Sequence, residues 1–504
     1  MPGPRSYQQA ARQLAAYLAS RQQSDGDLPG PDNYGVASSL WLWCHFKGEF
    51  APQIERALRW LANHPPESHG EFNAYALLNC RDVLGGMAVD PLLRRVRFGG
   101  RHSANWTLLR AVCRAARGSR PSAVRARLEA RAALARYMRR GFIADRGGVR
   151  SFAYHSFCGA LLADLWRTTR WRWAAAAVAR AAQFIAPFVL PNGDTLYVGR
   201  GQEQIFGYGA LVYLLEAAAQ ITGEDQHRAQ ADRVFRYLLS FQRPDGSFPL
   251  VLNDDEPLDP WAPEPHPGWY SYSRYADYLP FLGGMLMRAA SPGMQRLECS
   301  DGRQDLRIPH PDFDVHREAR YAAVVSRPGG ASTNDLAFPY ICVDGVSLFP
   351  CYGAEEGVRP AAMPLPYGVL ADGRPYSFRE RLRYRLTNSG LVGESILVRH
   401  TRAFDFRSDG FTCRDEITFR RACSFPEFVS ANFLFRNLRP AEDGSFGTSY
   451  RGARAVLRCD QEVAIHTDAA ITVSGKLAAL RSVREAMAVR PGQKASAELQ
   501  VRLK

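Results

Sequence analysis

The sequence predicts an α+β multidomain chain, an N-terminal (α/α)n toroid of helical hairpins followed by a C-terminal antiparallel β-sandwich. Three observations predict it. The chain has 504 residues, more than the ~250 to 300 at which a single core usually stops growing, so two domains are expected. Up to about Met294 apolar residues recur at helical spacing between short Gly, Pro and Asp turns. From Arg320 onward short alternating runs rich in Val, Ile, Phe and Tyr take over, punctuated by Gly, Asn and Asp.

In the first part four stretches share one layout: SDGDLPGPDNYGVASSLWLW, DRGGVRSFAYHSFCGALLADLW, NGDTLYVGRGQEQIFGYGALVYLLEAA, and PDGSFPLVL followed by WYSYSRYADYLPFLGGML. Each runs from a turn through a polar-aromatic loop into an apolar helix. Between them lie amphipathic helices such as PQIERALRWLANH, ARLEARAALARYMRR and HRAQADRVFRYLLSFQ. Alternating buried and half-exposed helices suit a toroid or solenoid, with the buried set inside and its preceding loops gathered at one mouth. The toroid is expected over 1–295, and a polar linker over 296–318.

The sandwich is expected over 319–504. Its strands are read in YAAVVSRPGG, FPYICVDGVSLF, ESILVRHTRAFDFRSDGFTCRDEITFRR, EFVSANFLFRN, AVLRCDQEVAIHT and ASAELQVRLK. The Gly-, Pro- and Tyr-rich segment from Cys351 to Tyr376 reads as a long connection leaning over the helical part, with Tyr352, Glu355 and Arg359 as candidates for one cleft wall.

Composition narrows the function classes. The net charge of +14 comes almost wholly from arginine, since lysine occurs only at Lys47, Lys476, Lys494 and Lys504. It reads either as recruitment of an acidic partner or as codon usage in an Ala- and Arg-rich chain. No nucleic-acid module signature is present. No apolar stretch approaches the ~18 residues of a membrane span, and the N-terminus lacks a signal-peptide succession. The expected location is therefore the cytoplasm for the chain as written, or the periplasm if an export segment precedes it. Ten cysteines include no C-x-x-C pair and no Cys/His spacing of a zinc site. Most are expected to be buried thiols, and no metal ligand set is expected.

Four clusters place polar and aromatic groups at the starts of apolar helices. In Arg101-His102-Ser103-Ala104-Asn105-Trp106, an Asn amide can hydrogen-bond a carboxylate while the indole stacks on a sugar face. An Asn there serves equally as a helix cap. In Arg150-Ser151-Phe152-Ala153-Tyr154-His155, a phenol and an imidazole stand side by side, both suited to proton transfer, and both ordinary in a core. The third cluster, Tyr197 to Tyr208, holds Arg200, Glu203 and Gln204 ahead of Tyr208. Arg200 can grip a carboxylate bidentately or pair structurally with Glu203. The fourth is His266 with Trp269, Tyr270, Tyr272 and Arg274, either a sugar-binding wall or packing between hairpins.

The segment DRGGVRSFAYHSFCGALLADL resembles the one in heparinase II/III-like polysaccharide lyases that runs from an Asp-Gly turn through Ser to a Tyr-His pair at a helix start. The order of helical toroid then β-sandwich matches as well. The resemblance implies that Tyr154 is the catalytic acid/base, with His155 beside it, and that Asn105, at the corresponding distance upstream, neutralises a uronate carboxylate. Val149 stands where those lyases usually carry Glu before the Arg-Ser pair, and His266 is the one nearby counterpart of their second histidine. The expected function is cleavage of a uronate-containing, bacterial polysaccharide by β-elimination, without metal or organic cofactor and on an acidic polysaccharide or oligosaccharide. His102, Trp106, Arg200, Glu203, Gln204 and Tyr208 are the expected substrate contacts, with Trp269, Tyr270, Tyr272 and Arg274. Two alternatives stand beside it: a glycoside hydrolase using Asp194 and Glu203 as its carboxyl pair, and a non-catalytic glycan-binding or polysaccharide-assembly protein.

Overall fold

A computed structural model describes residues 4–30, 33–252, 261, 275–291, 310–329, 335–350, 360–472 and 475–504. Its first part contains, among the described residues, twelve helices: α1 (Pro4–Arg21), α2 (Gly35–Cys44), α3 (Ala51–Asn63), α4 (Gly70–Leu84), α5 (Gly86–Arg95), α6 (Ala104–Ala116), α7 (Arg120–Tyr137), α8 (Phe152–Thr169), α9 (Arg172–Ile185), α10 (Ile205–Thr222), α11 (Asp225–Leu239) and α12 (Tyr275–Ala290). The even-numbered helices pack in the order α2, α4, α6, α8, α10, α12, and α12 returns to α2. The ring is closed. Helices α3, α5, α7, α9 and α11 each back the inner helix before them, and α1 backs α12. The helical part is therefore a six-hairpin (α/α) toroid whose last hairpin joins the two ends of the domain.

Sequence explains which helices go inside. Every residue of α2 is buried, and α10 is buried over almost its whole length. The outer helices α3, α9 and α11 bury one stripe only. Against expectation, α10 is long and apolar enough to cross a membrane, but 83% of that window is buried inside the ring. Ring closure is polar as well as apolar. The Asp277 carboxylate at the start of α12 accepts from the backbone N–H of Asn33 (2.8 Å) and of Tyr34 (2.7 Å), and from the Asn33 amide (3.0 Å).

The second part is an antiparallel β-sandwich. Its largest sheet has eight strands and faces sheets of five and four strands. Val398–Arg407 and Gly410–Phe419 form a long hairpin with alternating burial, so one face of each strand enters the core. Phenylalanines fill the space between sheets: Phe338 lies 5.6 Å from both Phe411 and Phe433, and Phe419 lies 5.5 Å from Phe428. A buried bidentate pair crosses the hairpin, from Arg402 to Asp415 at 2.6 and 2.7 Å. The first strand, Phe313–Arg317, falls within the segment expected to be linker. The long connection is also more regular than expected, because Tyr367–Val369 and Pro375–Ser377 form a hairpin in the five-stranded sheet. Of the cysteines among the described residues, six are buried and Cys423 and Cys459 half-buried, all as free thiols.

The two parts are joined by ion pairs near the mouth of the ring. Arg150, just ahead of α8, donates to Asp335 (2.9 Å), which also accepts from Arg379 (3.0 Å), and Arg150 lies 3.5 Å from Asp312.

Candidate functional site

The loops before α2, α4, α6, α8 and α10, with the first turns of α12, converge on a cavity of about 500 Å³ at the mouth of the ring. Tyr154 reaches it because α8 starts two residues earlier. Ser151 is the N-cap, in extended backbone, and its hydroxyl accepts from the Tyr154 N–H at 3.1 Å. The same hydroxyl donates to the Arg200 carbonyl at 2.5 Å, tying the start of α8 to the loop that carries Arg200. Close backbone approach completes the tie. Gly199 has φ +82°, and a Cβ there would lie 1.8 Å from the Arg150 carbonyl oxygen, so only glycine fits.

Around Tyr154 the cavity is aromatic and charged. The Arg200 guanidinium lies over the Tyr154 ring at 5.3 Å and pairs with Asp145 at 3.3 Å. Burial pushes the Asp145 carboxyl above its usual range, with Arg200 and Arg146 pulling the other way. Asp145 and Arg146 come from the turn that opens the Tyr154 segment, and both line the cavity. Asn105 is the second residue of α6 and is almost fully buried, with the Ser103 hydroxyl bonded to its Oδ1. It is not a cap; Ser103 holds that position. Trp106 lies under the Arg101 guanidinium at 4.9 Å and beside His69 at 5.3 Å. His102 lines the same wall.

Several sequence candidates lie elsewhere. His155 is fully buried behind α8. Its Nδ1 accepts from the Ile143 N–H (3.0 Å), which leaves Nε2 to donate to the Ala181 carbonyl (3.1 Å). Burial pushes its pKa down to about 3, so it is a neutral core histidine. Glu203, Gln204 and Tyr208 are likewise buried and do not line the cavity. Tyr208 donates to Glu203 at 2.7 Å and lies 3.0 Å from Asp194, while Tyr340 and Ser347 of the β part close over the other Asp194 oxygen at 2.7 and 2.5 Å. Burial, then the charge of Asp194, holds the Glu203 carboxyl well above the usual range. The pair expected to serve a hydrolase is thus sealed between the two parts. Arg200 pairs with Asp145 rather than Glu203. His266, Trp269, Tyr270, Tyr272, Arg274, Tyr352, Glu355 and Arg359 lie outside the described residues.

The sequence reading missed Asn33, Tyr34, His69, Asp145, Arg146 and Asp277, all of which line the cavity. Two of them were within reach, because Asp145 and Arg146 belong to the turn already singled out. His69 carries a local signal only in hindsight: it is the N-cap of α4 at φ +52°, an uncommon conformation for a histidine. Among the described residues no group of three or more His, Cys, Asp or Glu side chains is arranged to hold a metal.

No family model and no curated protein matches the chain. Among solved structures it is similar to heparan sulfate lyase HepC from Pedobacter heparinus, at 12% identity over 98% of this chain and 82% of that one, TM-score 0.42. It is similar to a glycosyl hydrolase family 88 protein from Bacteroides vulgatus at 11% identity, over 56% of this chain and 99% of that one, TM-score 0.42. It is also similar to cellobiose 2-epimerase from Bacillus thermoamylovorans at 13% identity, over 55% of this chain and 99% of that one, TM-score 0.43.

Proposed function

We propose that the chain is a polysaccharide lyase that cleaves a uronate-containing, bacterial polysaccharide by β-elimination. The observation that carries this reading is that Tyr154, Asn105 and Arg200 line one cavity at the mouth of the ring, beside an exposed Arg101 and Arg146. Asn105 and Arg200 hydrogen-bond the C5 carboxylate and so make the C5 proton more acidic. Tyr154 removes that proton. The C5–H pair becomes the C4–C5 double bond, the C4–O bond breaks, and the proton returns from Tyr154 to the leaving oxygen. Arg200 over the ring favours the phenolate form of Tyr154 from which the step starts and to which it returns. Trp106 and Tyr34 supply faces on which sugar rings stack. His69 and His102 are the imidazoles of this cavity, in place of the buried His155. The reaction so written calls for no metal or organic cofactor.

A glycoside hydrolase is the second reading, favoured by two carboxyl groups in the cavity, Asp145 and Asp277. Incubation with a panel of acidic and neutral polysaccharides separates the readings. Elimination yields an ultraviolet-absorbing unsaturated uronate at the new non-reducing end. Hydrolysis yields new reducing ends without that absorbance, and binding with neither product makes the chain a non-catalytic glycan-binding protein. Cleavage of neutral glycans alone would remove the carboxylate-binding role of Asn105.

A further inference from the structure

We propose that the junction between the toroid and the sandwich holds a second binding site, specific for a single acidic sugar residue. A cavity of about 280 Å³ opens there, lined from the helical side by Asn192, Arg236, Tyr237 and Ser240, and from the β side by Ser347 and Arg451, among others. Ligand pockets usually run ~300 to 1,000 Å³, so this one suits one ring rather than a chain.

Arg451 carries the argument. With Gly452 it makes the two-residue turn between the strands Phe446–Tyr450 and Ala453–Cys459, where Tyr450 pairs with Ala453. Its φ is +45°. Turns of this kind favour Asn, Asp or Gly at that position, so an arginine there costs free energy. Its guanidinium reaches across the junction, 4.9 Å from the Phe241 ring and 5.2 Å from the Tyr450 ring. Arg451 is exposed, and no hydrogen bond or ion pair engages it among the described residues. Arg436 lies over the same Tyr450 ring at 4.0 Å, so two cations share one aromatic side chain. Among the described residues no carboxylate lines the cavity. The positive charge of Arg451 therefore meets a ligand's anionic group, which an arginine grips bidentately when it is a carboxylate, while Arg236 at the rim is already paired with Asp232 at 2.9 Å. The Ser240 hydroxyl donates to the Tyr237 carbonyl at 2.7 Å and keeps its oxygen to accept from a sugar hydroxyl, and the Asn192 amide, which gives one N–H to Ser347 at 3.2 Å, keeps a second to donate. The ligand class that satisfies all of these is a uronic acid residue. This site stands independently of the chemistry proposed for the mouth of the ring.

Arg451→Asn tests it, because the substitution removes the guanidinium while installing a residue that the left-handed turn favours, so folding is preserved. D-glucuronate, D-glucose and sodium sulfate are titrated calorimetrically into the full chain at constant ionic strength. The wild-type chain is expected to bind two glucuronates, one at the mouth of the ring and one at the junction. In Arg451→Asn the junction site weakens by about tenfold or more, as expected for loss of a charge-assisted contact, and glucose binds neither protein tightly. A variant that titrates like the wild type overturns the proposal. Sulfate binding as tight as glucuronate at the Arg451-dependent site also overturns it, since the site would then take a bare anion. If the lyase reading fails but this one holds, the wild type shows one glucuronate site, and that site is lost in Arg451→Asn.

Discussion

Tyr154 and His155 are adjacent in sequence, yet α8 turns by ~100° per residue and sends one to the cavity and the other into the core. Their substitutions should therefore differ in kind. Tyr154→Phe removes one oxygen and keeps the ring. Turnover is expected to fall at least ~100-fold with the melting temperature little changed, and steady-state kinetics alongside thermal unfolding check both halves of that statement. Near-normal elimination by the folded variant would take the proton-carrier role away from Tyr154. His155 instead governs stability. Its pKa is about 3 in the folded chain, against an ordinary ~6.5 when unfolded. Above the unfolded value both states are neutral, and the histidine adds no pH dependence. As pH falls below it, the unfolded state takes up a proton that the folded state refuses, so stability is lost progressively towards the folded value. His155→Gln should lower stability at neutral pH by ~1 to 3 kcal/mol, because one ring-nitrogen hydrogen bond goes unmade. It should also flatten the loss of stability between about pH 6.5 and 4 by one proton, as read from urea unfolding across that range. A variant with the wild-type slope would place the titration on other histidines, His45 and His310 being two more held down to about 4.

Helix by helix, the apolar patterns and turn residues are local signals, and the elements they specify form as expected. What they do not specify is how closely neighbours approach. The inner ring closes where α12 presents Gly283 and Gly284 to α2, and a Cβ on Gly284 would lie 2.3 Å from the Trp41 ring. Gly284→Leu should overpack this contact and cost ~1 to 3 kcal/mol or more. Because α2 and α12 belong to the first and last hairpins, the same change should reduce cooperativity, seen as a smaller denaturant slope or two separate transitions. An unchanged midpoint and slope would mean that the ring can widen freely at α12. The strands teach a complementary point. The Val398–Arg407 and Gly410–Phe419 hairpin was legible from alternation and a two-residue turn, whereas Phe313–Arg317 was not, because a short, half-exposed strand following a polar run carries no strong period.

Across the whole molecule the β part holds the loop that presents Tyr154. Asp335 accepts from both Arg150 and Arg379, all three nearly buried. Asp335→Ala removes the carboxylate that two buried guanidinium groups share, leaving Arg150 the more distant Asp312 at 3.5 Å, and should cost ~3 kcal/mol. Because Arg150 precedes the cap Ser151, the folded fraction should also turn over more slowly, with the larger change in kcat. Activity per folded molecule equal to the wild type would confine the network to stability. At the same scale, the exposed Arg101 and Arg146 at the cavity should make affinity for a polyuronate fall as salt rises from low to physiological levels, since charges are screened over ~8 to 10 Å. Salt-independent binding would leave the +14 charge to composition alone. The sequence by itself determined the helices, the strands, their order, and that Asn105, Tyr154 and Arg200 stand at or ahead of helix starts, because periodicity, turn chemistry and capping act over a few residues. Only the tertiary structure decided which of these groups meet. Asn33 reaches Asp277, and Asp194 reaches Tyr340 and Ser347, through contacts between distant parts of the chain. Such contacts depend on the summed packing of a closed ring and a docked sandwich, for which no local stretch of sequence carries a signal. Helix phase then made the last choice on α8, turning Tyr154 towards the cavity and His155 into the core, while Glu203 in the loop ahead of α10 is buried against Tyr208.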